Sequence, residues 1–235
     1  NILAVIKGSA VNHDGRSNGL TAPNGPAQRE VISKALSVAG ISADQVDYVE
    51  AHGTGTILGD PIEANALQLV YGKDRSAERK LPIGSVKTNI GHTEAAAGIA
   101  GVLKTVLSFQ HGKIPPSLHF DTPNEHIAWN EMNIRVADSL LDWPNVGRPR
   151  VAGISSFGLS GTNAHVLVQE TSLADPGLFA ELGEEEEVSY ERPLHVLPLP
   201  ALTEDALRDY AKKYREFLGA DKESTLADIA YSAGN

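Results

Sequence analysis

The sequence has no cysteine in 235 residues. That absence excludes a disulfide framework, a thiolate zinc site and a cysteine nucleophile within the chain itself. Basic residues are in deficit, with 20 Lys+Arg against 30 Asp+Glu and a net charge of -10. The clustered basic face of a nucleic-acid footprint is therefore not expected. Long apolar runs are missing too. The longest, Ala95 to Leu103, falls far short of the roughly 20 residues that span a bilayer. No basic-then-apolar leader marks secretion, so a cytoplasmic protein without membrane attachment is expected. No His-Glu-x-x-His pattern is present, and Gly-x-Ser-x-Gly is not met at Ser155 or Ser160, which leaves a zinc hydrolase, or a nucleophile elbow in that glycine loop, without support. No metal site is expected.

What is present is a globular composition, 41% hydrophobic and 21% charged. The length suits one large domain, or one domain with a smaller appendage. Charge is unevenly spread: residues 1–170 carry 14 basic and 16 acidic side chains, residues 171–235 carry 6 and 14. The chain opens at Asn1 and runs straight into Ile2-Leu3-Ala4-Val5-Ile6, which reads as the interior of a longer polypeptide.

The pattern predicts a strand over 2–11, a helix from Pro26 to Ala39 stopped by Gly40, and a strand over 46–51 that delivers His52 to a glycine-rich loop. Asp60-Pro61-Ile62-Glu63 reads as a helix start, with Asp as cap and Glu at the third position, in a helix ending near Gly72. A strand over 82–86 leads into Lys87-Thr88-Asn89-Ile90-Gly91-His92, and Thr93 is placed to cap a third helix from Glu94 to His111. Strands near 134–138, 150–155 and 165–169 follow. This alternation means α/β. Residues 171–192 form an acidic linker, and from Pro193 a small unit begins: a strand over 194–201, a helix capped by Thr203, and a short helix after Thr225.

Two histidines stand at strand ends. His52, in His52-Gly53-Thr54-Gly55-Thr56, lies on a loop whose glycines allow close approach to a ligand. His92 precedes a helix N-terminus, where a neutral imidazole is favoured and can donate to a developing oxyanion or enolate. A purely structural role stays open for either. Lys87 is expected to pair with Glu94 and orient the site. The small-residue loop 155–165 can turn its backbone amides on an oxyanion. Together these supply donors for carbonyl chemistry and no obvious nucleophile.

The segments 47–67 (through His52-Gly53-Thr54-Gly55-Thr56 and Gly59-Asp60-Pro61-Ile62-Glu63-Ala64), 86–103 (Val86-Lys87-Thr88-Asn89-Ile90-Gly91-His92-Thr93-Glu94 onward) and 155–165 (ending Gly161-Thr162-Asn163-Ala164-His165) resemble three ordered motifs of β-ketoacyl synthases. Their wording, with the opening Val5-Ile6-Lys7-Gly8-Ser9-Ala10-Val11-Asn12-His13-Asp14-Gly15, is similar to modular type I polyketide synthases. The resemblance covers 1–170 and implies the C-terminal half of a thiolase-like fold. Residues 1–22 would end the N-terminal half, 23–170 form the C-terminal half, and 193–235, a small α+β piece, begin the linker between ketosynthase and acyltransferase. It implies decarboxylative Claisen condensation of an acyl thioester with a malonyl-type extender. His52 and His92 would be catalytic, Leu159 would give an oxyanion-hole N–H, Lys87 and Glu94 would support, and Thr54 and Thr56 would line the pantetheine arm. The chain would bind no cofactor of its own, the phosphopantetheine arm arriving on an acyl carrier protein. Partners implied are that carrier, the upstream ketosynthase half that holds the cysteine, a downstream acyltransferase and a second copy in a homodimer. Alternatives are a non-condensing docking fragment and a ketosynthase-like decarboxylase. Alone, the chain should be inactive.

Overall fold

The computed structural model describes residues 2–15, 22–143, 147–171, 195–220 and 225–234. It divides into two compact units, Asn1–Asp175 and Pro176–Asn235. The acidic linker expected after Thr171 lies outside the described residues.

The first unit is built on a six-stranded sheet. Its strands are β1 (Ala4–His13), β2 (Tyr48–Glu50), β3 (Leu81–Gly84), β5 (Ile134–Val136), β7 (Val151–Phe157) and β8 (Thr162–Glu170), in the order β1-β8-β7-β2-β3-β5. β4 (Lys113–Ile114) and β6 (Leu141–Asp142) form a separate antiparallel pair. β7 and β8 are an antiparallel hairpin, and β1 runs antiparallel to β8 from Ala4 opposite Glu170 to His13 opposite Thr162. β2 pairs parallel with both β7 and β3, and β3 pairs parallel with β5. The carboxyl ends of β1, β2, β3 and β7 therefore open on one edge of the sheet. Ligands of open α/β sheets bind beyond that edge.

Strand alternation sends Val49 and Ala51 into one core cluster, with Val31, Ile32, Leu67 and Leu81, and sends Tyr48 into the other, with Phe109, Ile114, Trp143 and Ile154. α1 (Gly25–Ala39) begins where Asn24 accepts the Ala27 N–H, and ends at Gly40 in the left-handed conformation. α2 (Gly59–Leu67) continues as a π-helical turn over Gln68–Gly72. The single turn α3 (Lys87–Ile90) and the long α4 (Ala97–His111, stopped by left-handed Gly112) complete this unit.

Two expected helix starts differ. α2 begins one residue before Asp60, with Leu58 as its uncapped N-cap. Asp60 instead accepts the Gly55 and Thr56 amides, and Glu63 accepts those of His52 and Gly53. The carboxylates thus satisfy the donors of the neighbouring loop rather than those of their own helix. Thr93 makes no cap bond. A 3₁₀ turn over Glu94–Ala96, with Glu94 at φ 50°, precedes α4, and the Glu94 amide is taken by the His92 ring.

In the second unit, α5 (Glu204–Ala220) is capped as expected: Thr203 Oγ1 accepts the Ala206 N–H at 3.2 Å. α6 (Leu226–Gly234) starts where Thr225 accepts the Asp228 N–H. The strand expected over 194–201 is not formed by its described part, 195–201. Pro198 and Pro200 remove two of the N–H donors that a ladder needs. No helix among the described residues is long and apolar enough to cross a membrane.

Candidate active site

Three loops at the carboxyl ends of the neighbouring parallel strands β7, β2 and β3 converge. The loop after β2 carries His52, Thr54 and Thr56; the segment after β3 carries His92 and Glu94; the turn after β7 carries Gly158 and Leu159. All line one cavity of about 1000 Å³, with Asp14 and Gln28. Of the seven residues singled out from sequence, the structure brings six to this cavity. Lys87 is the exception.

The two imidazoles stand 5.5 Å apart between ring centroids, nearly perpendicular at 80°. Each has one nitrogen committed. His52 Nδ1 accepts the Phe157 N–H at 3.3 Å, and His92 Nδ1 accepts the Glu94 N–H at 3.0 Å. A neutral imidazole whose Nδ1 accepts must carry its proton on Nε2. Both rings therefore present an Nε2–H donor. Burial, reinforced by Lys87 and His92, pulls the His52 pKa down to about 4, so His52 is neutral throughout the physiological range.

The His52 backbone is fixed from below by Glu63, a carboxylate 5% exposed, which accepts the His52 N–H at 2.7 Å and the Gly53 N–H at 2.9 Å. Desolvation outweighs those two donors and pushes the Glu63 pKa up to about 7. Gly53, at φ 46°, is held where a Cβ would meet the Ser85 Cβ at 2.8 Å. Asp60 closes the rest of the loop through Gly55 and Thr56, at 3.0 and 3.3 Å. Thr54 and Thr56 face each other, their hydroxyl oxygens 3.5 Å apart.

The expected Lys87–Glu94 pair does not form. Glu94 is exposed beyond His92, whereas burial lowers the Lys87 pKa and the carboxylates of Glu63 and Glu50 oppose that shift. Lys87 opens the single turn α3, whereas Glu94 lies beyond it in the 3₁₀ turn that precedes α4. Sequence spacing of seven residues suggested the pair; the glycine turn at Gly91, φ 76°, separates it.

The β7–β8 turn is closed by Gly158 N–H to Thr162 O and Gly161 N–H to Gly158 O, at 2.7 and 2.9 Å. The Leu159 side chain is 78% exposed, and its amide has no acceptor among the described residues, as an oxyanion donor requires. Residues that sequence reasoning left without a role hold this turn. His13 Nε2 reaches Ser160 O at 2.9 Å, the Asp14 N–H reaches Gly161 O at 2.8 Å, and Asn163 donates to Asp14 at 2.7 Å. Behind the turn, buried His165 bridges Ser155 Oγ and the Tyr71 hydroxyl at 2.9 and 2.7 Å.

Neutral donors at a shared cavity are a device for stabilising oxygen-centred negative charge. No group of three His, Asp or Glu among the described residues could hold a metal ion.

Comparisons with known proteins agree with this geometry. The model of the β-ketoacyl synthase C-terminal domain matches residues 3–121, and that of the ketoacyl-synthetase C-terminal extension matches 123–234. The chain is 52% identical over 233 residues to the spectinabilin polyketide synthase system protein NorA' of Streptomyces orinoci, and 50% identical over 231 residues to erythronolide synthase EryA3 of Saccharopolyspora erythraea. These alignments take in 98% of the chain but only 6% and 7% of those relatives. Among solved structures, the ketosynthase from module 6 of the bacillaene synthase of Bacillus subtilis 168 superimposes with a TM-score of 0.71 at 37% identity, over 99% of this chain and 38% of that one. The oxazolomycin ketosynthase domain OzmH KS7 of Streptomyces albus JA3453 gives 0.69 at 35%, over 98% and 38%. With its thiolase-like α/β architecture and its ordered histidine motifs, the chain belongs to the β-ketoacyl synthase family, as a C-terminal ketosynthase region of the modular polyketide synthase type.

Proposed function

We propose that this chain supplies the carbonyl-activating half of a ketosynthase that performs decarboxylative Claisen condensation. The observation that carries the reading is the pair of Nε2–H donors, each proton fixed in place by a backbone amide on the opposite ring nitrogen.

A malonyl-type thioester enters with its carbonyl oxygen between the two imidazoles. The bond to the terminal carboxylate breaks, carbon dioxide leaves, and the electron pair moves onto the thioester as an enolate. Hydrogen bonds from His52 and His92 strengthen as charge grows on that oxygen, which is how a donor accelerates a step rather than merely binding substrate. The enolate carbon then attacks the carbonyl of an acyl group held as a cysteine thioester. The new carbon–carbon bond forms, the Leu159 N–H receives the transient oxyanion, and collapse expels the cysteine thiolate.

This chain has no cysteine, so the nucleophile belongs to an upstream half of the same domain. The outer face of α4 supports such a half: Ile99, Leu103 and Leu107, spaced four apart, are 56%, 57% and 53% exposed, an apolar stripe that water disfavours. The extender's phosphopantetheine arm, borne by an acyl carrier protein, runs past Thr54 and Thr56. Residues 193–235 lead toward an acyltransferase, and the whole ketosynthase pairs as a homodimer. The isolated chain forms no acyl-enzyme.

The test is incubation of the intact ketosynthase with an acyl thioester, followed by peptide mass spectrometry. A label on a cysteine outside residues 1–235 is expected. Decarboxylation without any acyl-enzyme would instead identify a decarboxylase, and a label within 1–235 would overturn the reading.

A further inference from the structure

The sheet ladder between β2 and β3 ends at Glu50 opposite Gly84, with one further bond from the Ala51 N–H to Gly84 O. Beyond that point the segment that bears His92 leaves the sheet. The group that reaches across is a side chain. Glu50 Oε1 accepts the Val86 N–H at the start of α3, while Oε2 accepts the Tyr48 hydroxyl at 2.6 Å and the Lys104 ammonium at 2.8 Å. Lys104 also donates to the Tyr48 oxygen at 2.9 Å. The pair is deeply buried, its side chains 8% and 2% exposed for Lys104 and Glu50. Space is kept open for it by glycines. A Cβ on Gly84 would stand 2.6 Å from the Tyr48 hydroxyl, and one on Gly101 would stand 3.0 Å from the Glu50 Cγ.

Glu50 ends β2, two residues before His52 on the loop that follows, and binds the segment that leads to His92. We propose that Glu50, oriented by Lys104 and Tyr48, is the positioning residue that sets where His92 stands relative to His52. The inference rests on the two histidines acting together, as above. An apolar pair would fill the same volume with no desolvation cost, but would leave the Val86 amide without its acceptor. Lys104 serves by neutralising the carboxylate in the core, so the arrangement needs all three residues of the cluster and touches no substrate.

Two routes break the same bond in the intact ketosynthase. One is the double variant Glu50→Met/Lys104→Met, which keeps the volume and removes both charges. The other is Val86→Pro, which deletes only the donor; Val86 sits at φ -61°, a value proline adopts without strain. Cysteine acylation by an acyl thioester should proceed as in the parent, because it does not use the histidine pair as enolate donors. Carbon dioxide release from malonyl carrier protein should fall about a hundredfold, as an ångström-scale misplacement does. Glu50→Gln/Lys104→Met returns a neutral acceptor to Val86 and should recover most of that loss. Crystal structures of the variants should show the His92 ring moved from its 5.5 Å separation. Unchanged decarboxylation in both routes, or an unmoved ring, overturns the positioning role. A His92→Ala variant that decarboxylates normally would instead overturn the underlying reading, while the ring displacement still decides the role of Glu50.

Discussion

Glu63 offers a perturbation whose size can be worked out from the structure. Its carboxylate accepts the His52 and Gly53 amides, at 2.7 and 2.9 Å, inside a site where it is 5% exposed. Glu63→Ala leaves both amides without an acceptor. At about 1–3 kcal/mol for each orphaned buried donor, the cost is about 2–6 kcal/mol. Glu63→Gln keeps one acceptor oxygen and should cost about half as much. The two forms also differ in their pH response. The Glu63 pKa is about 7 in the fold against an ordinary 4.5, because burial disfavours the anion. Between pH 4.5 and about 7 the folded protein therefore holds a proton that the unfolded chain has released. The parent loses stability as pH rises through that window, by about 1.4 kcal/mol per unit and about 3 kcal/mol in all. Above pH 7 the contribution is flat. The Gln variant has no such slope, so its deficit should be largest near pH 4.5 and should shrink toward pH 7. Urea denaturation of the intact ketosynthase at several pH values measures this directly. A gap between parent and Gln variant that does not change with pH, or an Ala variant as stable as the parent, would refute the reasoning.

Further predictions concern the neighbouring groups. His52 and buried His165 have pKa values lowered to about 4 and about 3, by burial in both cases and additionally by Lys87 and His92 for His52. Their contribution to stability is complete above pH 6.5 and is lost as pH falls through those values; His165→Gln should flatten the acid-denaturation curve, and an unaltered curve would contradict the assignment. Gly153→Ala places a Cβ 2.8 Å from His165 Nε2 and 2.9 Å from the Tyr71 hydroxyl, and should lower stability by about 1–3 kcal/mol in denaturant titration. Leu159→Pro removes the free amide and should cut acyl transfer to the cysteine about a hundredfold or more. Leu159→Ala, which changes only an exposed side chain, should leave that rate near the parent value, and equal loss in both would remove the amide from the mechanism.

The histidine loops were legible in the sequence because local signals wrote them: a short apolar run, then glycines that permit φ of 46° and 72° at Gly53 and Gly55. Hairpin β7–β8 was legible for the same reason. The supporting carboxylates were not. Glu50 reaches Val86 across 36 residues of chain, and Lys104 reaches Glu50 across 54, distances at which no spacing rule operates. Asp60 and Glu63 carried a true signal that pointed to the wrong donors. A carboxylate near a helix start seeks unpaired amides, and here both found those of the preceding loop. The Lys87–Glu94 expectation failed because proximity in sequence was interrupted by the turn at Gly91. The strand expected over 194–201 failed because an apolar run with two prolines lacks the donors to pair.

The most direct test of the paired-donor reading is carbon dioxide release from malonyl carrier protein by the intact ketosynthase and by its His52→Ala and His92→Ala variants, with cysteine acylation measured alongside. Loss of one donor at a developing oxyanion costs about 2.7–4 kcal/mol, so decarboxylation should fall about 10²–10³-fold in each variant while the acyl-cysteine still forms. Decarboxylation at the parent rate in either variant would contradict it.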